Sequence, residues 1–562
     1  MSQSSVLERV LEIARRRGFF WPAYETYGGS AGLFVFGDAG VKMRQRIESI
    51  WREMMVRPHD FLEIDGPEVV PEQVLQASGH VANFKDPLAV CKSCQRKFRA
   101  DHLLSDRGIR VVEGAPIQLI AEKLAGVECP ECGSHEWDVK PFLTMFQTSL
   151  GPYSEALGYL RPETAQNIFV EFKRIFEVGR EKMPMGVAQV GRGFRNEISP
   201  RQSLVRMREF HMAELELFFD PDEPSCEFIK LVEDEELNLL AEETLEAQKE
   251  DVTSVTVKEA LAKGLVRTEW LAYFMALSKL FIARLGVPPE KQRFRAKLKG
   301  ERAHYSAQTF DHEVYIEGLG WLEVAGHAYR TDYDLSAHMK MTGADYSVSV
   351  QLPNPKRVVK KVWSLDIEAA KKKYGDSWKR LVRAYSALKE DDRAADPPDQ
   401  LGGVKLDSST IRVQLKEKVL ASKKFVPHVV EPSFGLDRIT LAVLVHAYSA
   451  KDGRVVMRIP RQVAPADVGV FPLLSRPDMV AKAQEIRLLL ESHGLVTIYD
   501  ESASIGRRYA RIDEIGIPLA VTVDHDTLEK GTVTLRDRDT WLQDTVKVDD
   551  LGKKVKEKLG IT

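Results

Sequence analysis

At 562 residues, 44% of them apolar and 29% charged, the chain is long enough for several domains with sizeable cores. A formal net charge of −3 excludes indiscriminate nucleic-acid binding, so any such surface must be local and balanced by acids elsewhere. No stretch approaches the roughly 20 consecutive apolar residues of a membrane-spanning helix.

Val6 to Arg17 reads as an amphipathic basic helix. Glu8 and Glu12 inside it speak against a mitochondrial targeting peptide, and a cytoplasmic location is the simpler expectation. Asp38 to Val56 carries apolar residues at helical spacing, followed by a strand over Phe61 to Val69 that Gly66-Pro67 interrupts. Of five cysteines, four form the knuckles Cys91-Lys92-Ser93-Cys94 and Cys129-Pro130-Glu131-Cys132. Each knuckle puts two thiolates on one side of a turn, as a tetrahedral structural zinc ion requires, and Gly133 suits the second turn. Disulfides are the alternative, disfavoured in a chain with no secretory signal. Residues 91–140 are therefore expected to be a zinc-ribbon-like insertion. Cys226 is left over, a thiol without a role.

Phe194-Arg195-Asn196-Glu197 and Arg206 to Glu214, flanking a polar turn over Ile198 to Val205, read as a hairpin. Side chains alternate across a strand, so Arg195 and Glu197 share one face, and Arg206, Phe210, Met212 and Glu214 share one face of the returning strand. The opposite face, with Ala213, Leu215, Leu217 and Phe219, suits burial under helices. Two guanidiniums, an aromatic plate and two carboxylates then meet one space, a kit for a nucleoside triphosphate and a small cationic substrate. An ordinary amphipathic hairpin with a charged wet face is the plain alternative.

Residues 221–292 read as a largely helical insertion, opening on the acidic run Glu233 to Glu236. Strands are expected again from Arg293 to Leu335. A second insertion, 340–410, is basic in its middle (Lys356, Arg357, Lys360, Lys361, Lys371, Lys372, Lys373, Lys379, Arg380, Arg383) and ends in a turn at 395–399. Phosphate contact and a merely solvated face explain that charge equally well. Glu431-Pro432-Ser433-Phe434-Gly435-Leu436-Asp437-Arg438, leading into the apolar run Ile439 to Val445, reads as a strand end, a tight turn and a buried helix. Arg438 lies in its first turn, a natural phosphate site. From residue 455 to 562, short apolar strands (Val468 to Leu473, Leu495 to Tyr499, Leu519 to Val523) alternate with helical segments. That pattern predicts a compact α/β domain with a parallel-type sheet.

Phe-Arg-x-Glu followed by Arg-x-x-x-Phe-x-x-x-Glu resembles the second motif of the class II aminoacyl-tRNA synthetases. Gly435 to Arg438 with its helix resembles the third, and the helix and strand from Asp38 to Val69 resemble the first, which forms a homodimer interface. Glu431-Pro432-Ser433, the stretch Arg161 to Gln166 and the segment Ser504 to Pro518 resemble the dimeric glycyl-tRNA synthetases of the archaeal and eukaryotic kind. Glu301 to Tyr305 and Gly320 to Leu335 look like that family's remaining core strands. The resemblance runs from about Gly18 to the end, apart from the insertions.

The fold it implies is α+β: a class II antiparallel sheet flanked by helices over residues 1–450, with the insertions above, and a C-terminal α/β anticodon-binding domain over 455–562. The activity it implies is ATP-dependent attachment of glycine to tRNA(Gly) through glycyl-adenylate, by a homodimer. ATP would lie against Arg195, Asn196, Glu197, Val205, Arg206, Met207, Phe210, Glu323, Val324, Gly435 and Arg438, with Arg195, Glu197 and Arg438 as catalytic residues. Glu323 would anchor Mg²⁺. Glycine would meet Arg99, Glu163, Phe210, Glu214, Arg330, Glu431 and Ser433, three of whose carboxylates would converge on its ammonium. The rival expectations are a non-catalytic synthetase-like nucleic-acid-binding subunit and a synthetase for serine or alanine.

Overall fold

The computed structural model describes residues 5–109, 111, 115–152, 156–200, 203–388, 393, 396–451 and 453–561, with the backbone alone for 353, 354, 356–358, 360, 416–420 and 451. Residues 1–346 and 427–562 form one compact unit and 347–426 a second.

The first unit is organised by a nine-stranded sheet of β1 (Leu62–Glu63), β2 (Met185–Phe194), β3 (Glu209–Phe219), β4 (Glu236–Leu240), β5 (Thr253–Thr256), β6 (Gln292–Ala296), β7 (Gln308–Ile316), β8 (Gly320–Thr331) and β9 (His428–Gly435). Their spatial order is β5-β4-β6-β7-β8-β9-β3-β2-β1, antiparallel except at β4–β6 and β1–β2. The helices α1 (Asp38–Met55), α3 (Glu269–Arg284) and α5 (Leu436–Ala447) cover one face, and α2 (Ala165–Val178) and α4 (Tyr333–Thr342) follow the loops on the other. Alternation along β3 decides what each face meets. Ala213, Leu215, Leu217 and Phe219 are buried in the helix-covered core, each large one contributing roughly 1.5–3 kcal/mol. Phe210, Met212 and Glu214 face the other way and line a cavity. The helix α3 is buried all round from Trp270 to Ala276, and Phe281 meets Phe434 of β9 edge-on at 5.6 Å. A helix apolar on every side forms only where neighbours surround it.

Several expectations change. The acidic segment after 221 is not simply helical: Glu233 and Asp234 lie on a turn, Glu236 opens β4, and β4 and β5 extend the sheet. Leu237 and Leu239 are buried while the polar Glu236 and Asn238 alternate with them, a period of two that the acid run obscures. Arg206 precedes β3 rather than sharing its face, since the loop spans Arg195 to Arg208; Arg201 and Gln202 in that loop lie outside the described residues. Glu301 to Tyr305 is a turn, with Glu301 accepting the N–H of Leu298 at 3.2 Å. The strand expected over 61–69 is two short ones, β1 in the large sheet and Val69–Pro71 in a three-stranded one.

In the C-terminal part, Thr497–Tyr499, Val468–Pro472 and Leu519–Val523 are parallel, and Thr532–Asp537 and Gln543–Lys547 add antiparallel. The expected parallel sheet is thus mixed, because the last two strands are joined by a connection too short for a crossover. The second unit is a long hairpin, Val348–Leu365 with Ile411–Phe425, carrying the helices Ile367–Tyr374 and Trp378–Ser386. Part of its basic charge is already matched: Lys371 pairs with Glu368 at 2.9 Å and Lys373 with Asp407 at 2.5 Å. The side chains of Lys356, Arg357 and Lys360, and Ala395 in the closing turn, lie outside the described residues.

Candidate active site

A cavity of ≈ 270 Å³ opens on the sheet face away from α1, α3 and α5, lined among others by Glu163, Arg195, Arg206, Phe210, Glu214, Tyr305, Glu323, Glu431, Ser433 and Arg438. Strand register brings the distant sequence segments together. Glu214 of β3 lies opposite Ser433 of β9, and Glu431 of β9 lies opposite Ala328 of β8.

One end is acidic. Glu214 accepts the backbone N–H and the hydroxyl of Thr164, both at 2.6 Å, and the Ser433 hydroxyl at 2.8 Å. Burial and the neighbouring Glu163 nevertheless raise its pKa. Glu431 accepts from Arg330 Nη1 at 2.9 Å, yet burial, with repulsion from Glu214 and Glu163, outweighs that guanidinium and pushes it up to about 8. Glu163 goes the other way. Burial raises it, but His80, Arg330 and Arg195 together hold it well below the usual carboxylate range. Carboxylates crowded this closely, two of them sharing the Arg330 guanidinium, make a site that an added cation stabilises.

The other end is basic. The Arg195 guanidinium lies between the rings of Phe84 and Phe210, 5.6 and 5.5 Å from their centroids. Arg438, in the first turn of α5, donates to Val205 O at 2.9 Å and is 3.1 Å from Glu323 Oε2. Burial raises the Glu323 pKa, but Arg438, Lys297 and Arg195 outweigh it and keep the carboxyl ionised. Arg206 donates to the His102 ring at 3.0 Å and lies 3.9 Å from Glu197. Val205, Met207, Val324 and Gly435 also line the cavity.

Three expected residues do not line it. Asn196 turns its backbone N–H to Thr144 O at 2.7 Å. Arg99 pairs with Asp86 at 2.8 Å and Asp101 at 2.9 Å in the cysteine-bearing insertion. Arg330 is fully buried behind Glu431, gripping Asp334 with two bonds of 2.8 and 2.9 Å and stacking on Tyr305 at 3.6 Å. Sequence reasoning missed Tyr305 as a cavity wall, along with His80, Asp311 and Glu216. Asp311 borders the basic end, raised to about 8 by burial and by Glu323. Glu216 is fully buried with both carboxylate oxygens lacking a hydrogen-bond partner among the described residues. Its i+2 spacing from Glu214 on one strand was the available signal.

The four cysteine Sγ atoms lie within 4.8 Å of one another. Both knuckles are built alike. Gln95 and Gly133 return their N–H to Cys91 O and Cys129 O at 2.9 Å, and Cys91 and Cys129 donate to Arg96 O and Ser134 O at 2.9 and 2.8 Å. Gln95 and Gly133 adopt positive φ, 59° and 75°, which closes each turn. The backbone N–H of Cys94 draws the Cys91 thiol down to about 6. Four converging sulfurs in this donor set fit a tetrahedral zinc ion. Cys226, by contrast, is buried, its thiol pushed up to about 12.

An antiparallel sheet carrying an acid-lined pocket beside arginines from a strand–loop–strand and from the helix after β9 defines a class II aminoacyl-tRNA synthetase. Residues 467–558 match the anticodon binding domain family. The chain is 43% identical to the glycine–tRNA ligase of Aeropyrum pernix, over 98% of this chain and 96% of that protein. It is 42% identical to that of Pyrococcus furiosus, over 98% of both, and 39% identical to that of Methanocaldococcus jannaschii, over 99% of this chain and all of that protein. The chain belongs to the glycine–tRNA ligase family.

Proposed function

We propose that this chain joins glycine to tRNA(Gly) at the expense of ATP, in two transfers within the cavity. The glycine carboxylate attacks the α-phosphorus, forming glycyl-adenylate and releasing pyrophosphate. A terminal ribose hydroxyl of the tRNA then attacks the activated carbonyl and AMP leaves. The first step needs no protein nucleophile, because the attacking carboxylate is already ionised, so catalysis is positioning and neutralisation of phosphate charge. Arg195 bridges carboxylate and α-phosphate, Arg206 and Arg438 hold the β/γ end, Phe210 backs the adenine, and Glu197 meets its amino group. Glu323, with Asp311 nearby, suits Mg²⁺, which would offset phosphate charge and keep several waters.

Glu163, Glu214 and Glu431 take the ammonium, and with Tyr305 and Ser433 they leave no room beyond Cα. Glycine offers no side-chain methylene to reward, so selectivity for it rests on exclusion: forcing a methylene into filled space costs about 1–3 kcal/mol or more. The observation that supports this reading is the charge polarity of one cavity: acids at the end held by Arg330, guanidiniums at the end closed by α5. The four cysteines hold a structural zinc, in a reducing cytoplasm that keeps thiols free. The edge strand β1 and the helix α1 before it suit a homodimer, which size exclusion with light scattering tests.

ATP–pyrophosphate exchange across all twenty amino acids tests the activity. Exchange with glycine alone is expected, and its loss in Arg195→Ala with an unchanged melting curve. No exchange with pure protein favours a nucleic-acid-binding subunit, and exchange with serine or alanine reassigns the substrate.

A further inference from the structure

The turn from Ser78 to Phe84 contains no residue of the motifs described above, yet it supports both ends of the amino-acid pocket. His80 is fully buried. Its Nδ1 is 2.7 Å from Ser78 Oγ, and its Nε2 is 3.2 Å from Glu163 Oε1, an ion-pair distance although not aligned as a full hydrogen bond. The Ser78 hydroxyl has two acceptors in reach, His80 Nδ1 at 2.7 Å and Leu75 O at 3.4 Å. The carboxylate sets the tautomer: an Nε2 without a proton would face the Glu163 oxygen lone pair to lone pair at 3.2 Å, so the ring proton sits on Nε2 and Nδ1 accepts from the Ser78 hydroxyl.

The ring is held from the sides as well. Phe84 packs on His80 at 4.7 Å and also faces the Arg195 guanidinium, 5.6 Å from its ring centroid. His304 crosses His80 edge-on at 6.2 Å and bonds Ser78 O at 2.8 Å. Glu163 has two further partners, Gln166 at 3.3 Å and Arg330 at 3.8 Å, both longer than its approach to His80. His80 is thus the nearest partner of the acid, and it comes from a segment far away in sequence.

We propose that Ser78 and His80 form a relay that aims Glu163 at the glycine ammonium, making His80 a positioning residue for amino-acid binding. The relay rests on Glu163 being an ammonium acceptor. By holding one oxygen of Glu163 in place, His80 leaves the other directed into the pocket. A carboxylate fixed before the ligand arrives loses less freedom on binding, so the effect appears in glycine affinity rather than in ATP binding.

Two variants of His80 separate the relay from simple packing. Gln reproduces an N–H near the position of Nε2, whereas Asn reproduces only the Nδ1 side. Steady-state pyrophosphate exchange, with melting curves alongside, is measured for His80→Asn, His80→Gln, Ser78→Ala, Glu163→Gln and His80→Asn/Glu163→Gln. His80→Asn is expected to raise the glycine KM about 3- to 10-fold, the range of an ordinary hydrogen bond rather than a fully aligned one to a charge, with the ATP KM within about twofold of the parent. His80→Gln is expected to recover most of that loss, Ser78→Ala to fall between, and the double variant to be no worse than Glu163→Gln. If Glu163→Gln leaves glycine KM unchanged, the assignment of Glu163 itself fails. If Glu163→Gln raises it but His80→Asn does not, or if both His80 variants move both KM values in step with melting temperature, the relay is refuted.

Discussion

Removing Arg330 tests whether one buried guanidinium keeps the acidic pocket folded. Its side chain is inaccessible to solvent and holds Asp334 at 2.8 and 2.9 Å, Glu431 at 2.9 Å and, more loosely, Glu163 at 3.8 Å. Arg330→Met keeps much of the volume but leaves those carboxylates without their shared counter-ion. Breaking one buried pair costs about 3–5 kcal/mol, a large share of the roughly 5–15 kcal/mol that holds a typical fold together. At roughly 2 °C per kcal/mol for a large cooperative unit, the melting midpoint should drop by about 6–10 °C. The pH dependence has a definite sign. Glu431 already has its pKa raised to about 8, and losing Arg330 raises it further. Below the ordinary carboxylate pKa of about 4.5 the group is neutral in both states and costs nothing. Between about 4.5 and 8 the folded parent and the folded variant both hold Glu431 neutral and lose stability alike; past 8 the parent ionises against Arg330 while the variant still resists, so the Glu431 part of the deficit grows there. Arg330→Lys should fall between, since an ammonium cannot span both Asp334 and Glu431 as the planar fork does. Differential scanning fluorimetry at pH 5.5, 7 and 8.5, with glycine-dependent exchange, reads both effects. A midpoint within about 1 °C of the parent at pH 8.5, or a deficit equal at all three pH values, would refute the charge-compensation argument.

Three other outcomes are expected. On the proposed role of Glu431 as an acceptor of the glycine ammonium, which requires it ionised, the glycine KM should fall as pH rises toward about 8, by up to roughly tenfold per unit, and Glu431→Gln should flatten that slope while raising KM throughout; a parent profile flat from pH 6.5 to 8.5 contradicts this. Plasma emission spectrometry should find about one zinc per chain after growth with zinc, and Cys94→Ser should lose it and become sensitive to protease within 91–140; a zinc-free parent sinks the assignment. Gly40→Ala should lower the melting midpoint measurably, because a Cβ there would run into the Phe19 carbonyl oxygen, an overpacking cost of about 1–3 kcal/mol or more; an unchanged midpoint would mean the helix α1 can shift away.

Local chemistry carried much of this molecule's organisation in readable form. Knuckle spacing, the turn before Arg438 and the alternation of β3 each depend on residues close in sequence, where periodicity and turn chemistry act directly. The hairpin's returning strand was legible because Ala213, Leu215 and Leu217 alternate with Met212, Glu214 and Glu216, a pattern that ends at Phe218, which is buried against Phe169 and Phe172 on the other face. The boundary of its loop was not, since Arg206 is kept off the strand by contacts such as His102, more than a hundred residues away. Strands β4 and β5 were hidden for a similar reason: their acids suggest a wet helix, and only pairing with β6 gives Leu237 and Leu239 a surface to cover.

The deepest difference lies in the buried charges. His80 looks like an ordinary polar residue in one dimension, Arg330 stands out only through the family resemblance and Glu216 only through its spacing from Glu214, because nothing in their own chemistry distinguishes an exposed ionisable side chain from one sealed in the core. Their roles arise when β3, β8 and β9 and the loops ahead of α2 and α5 converge, removing water and leaving each charge to find its partner within the protein. Sequence alone thus determined most of the charged groups that line the cavity, through motifs whose residues lie close together. Tertiary structure decided which of them face the cavity, added Tyr305 and Asp311, and set Arg330 behind Glu431 to hold the others in place, because desolvation and pairing are properties of a neighbourhood that only folding assembles.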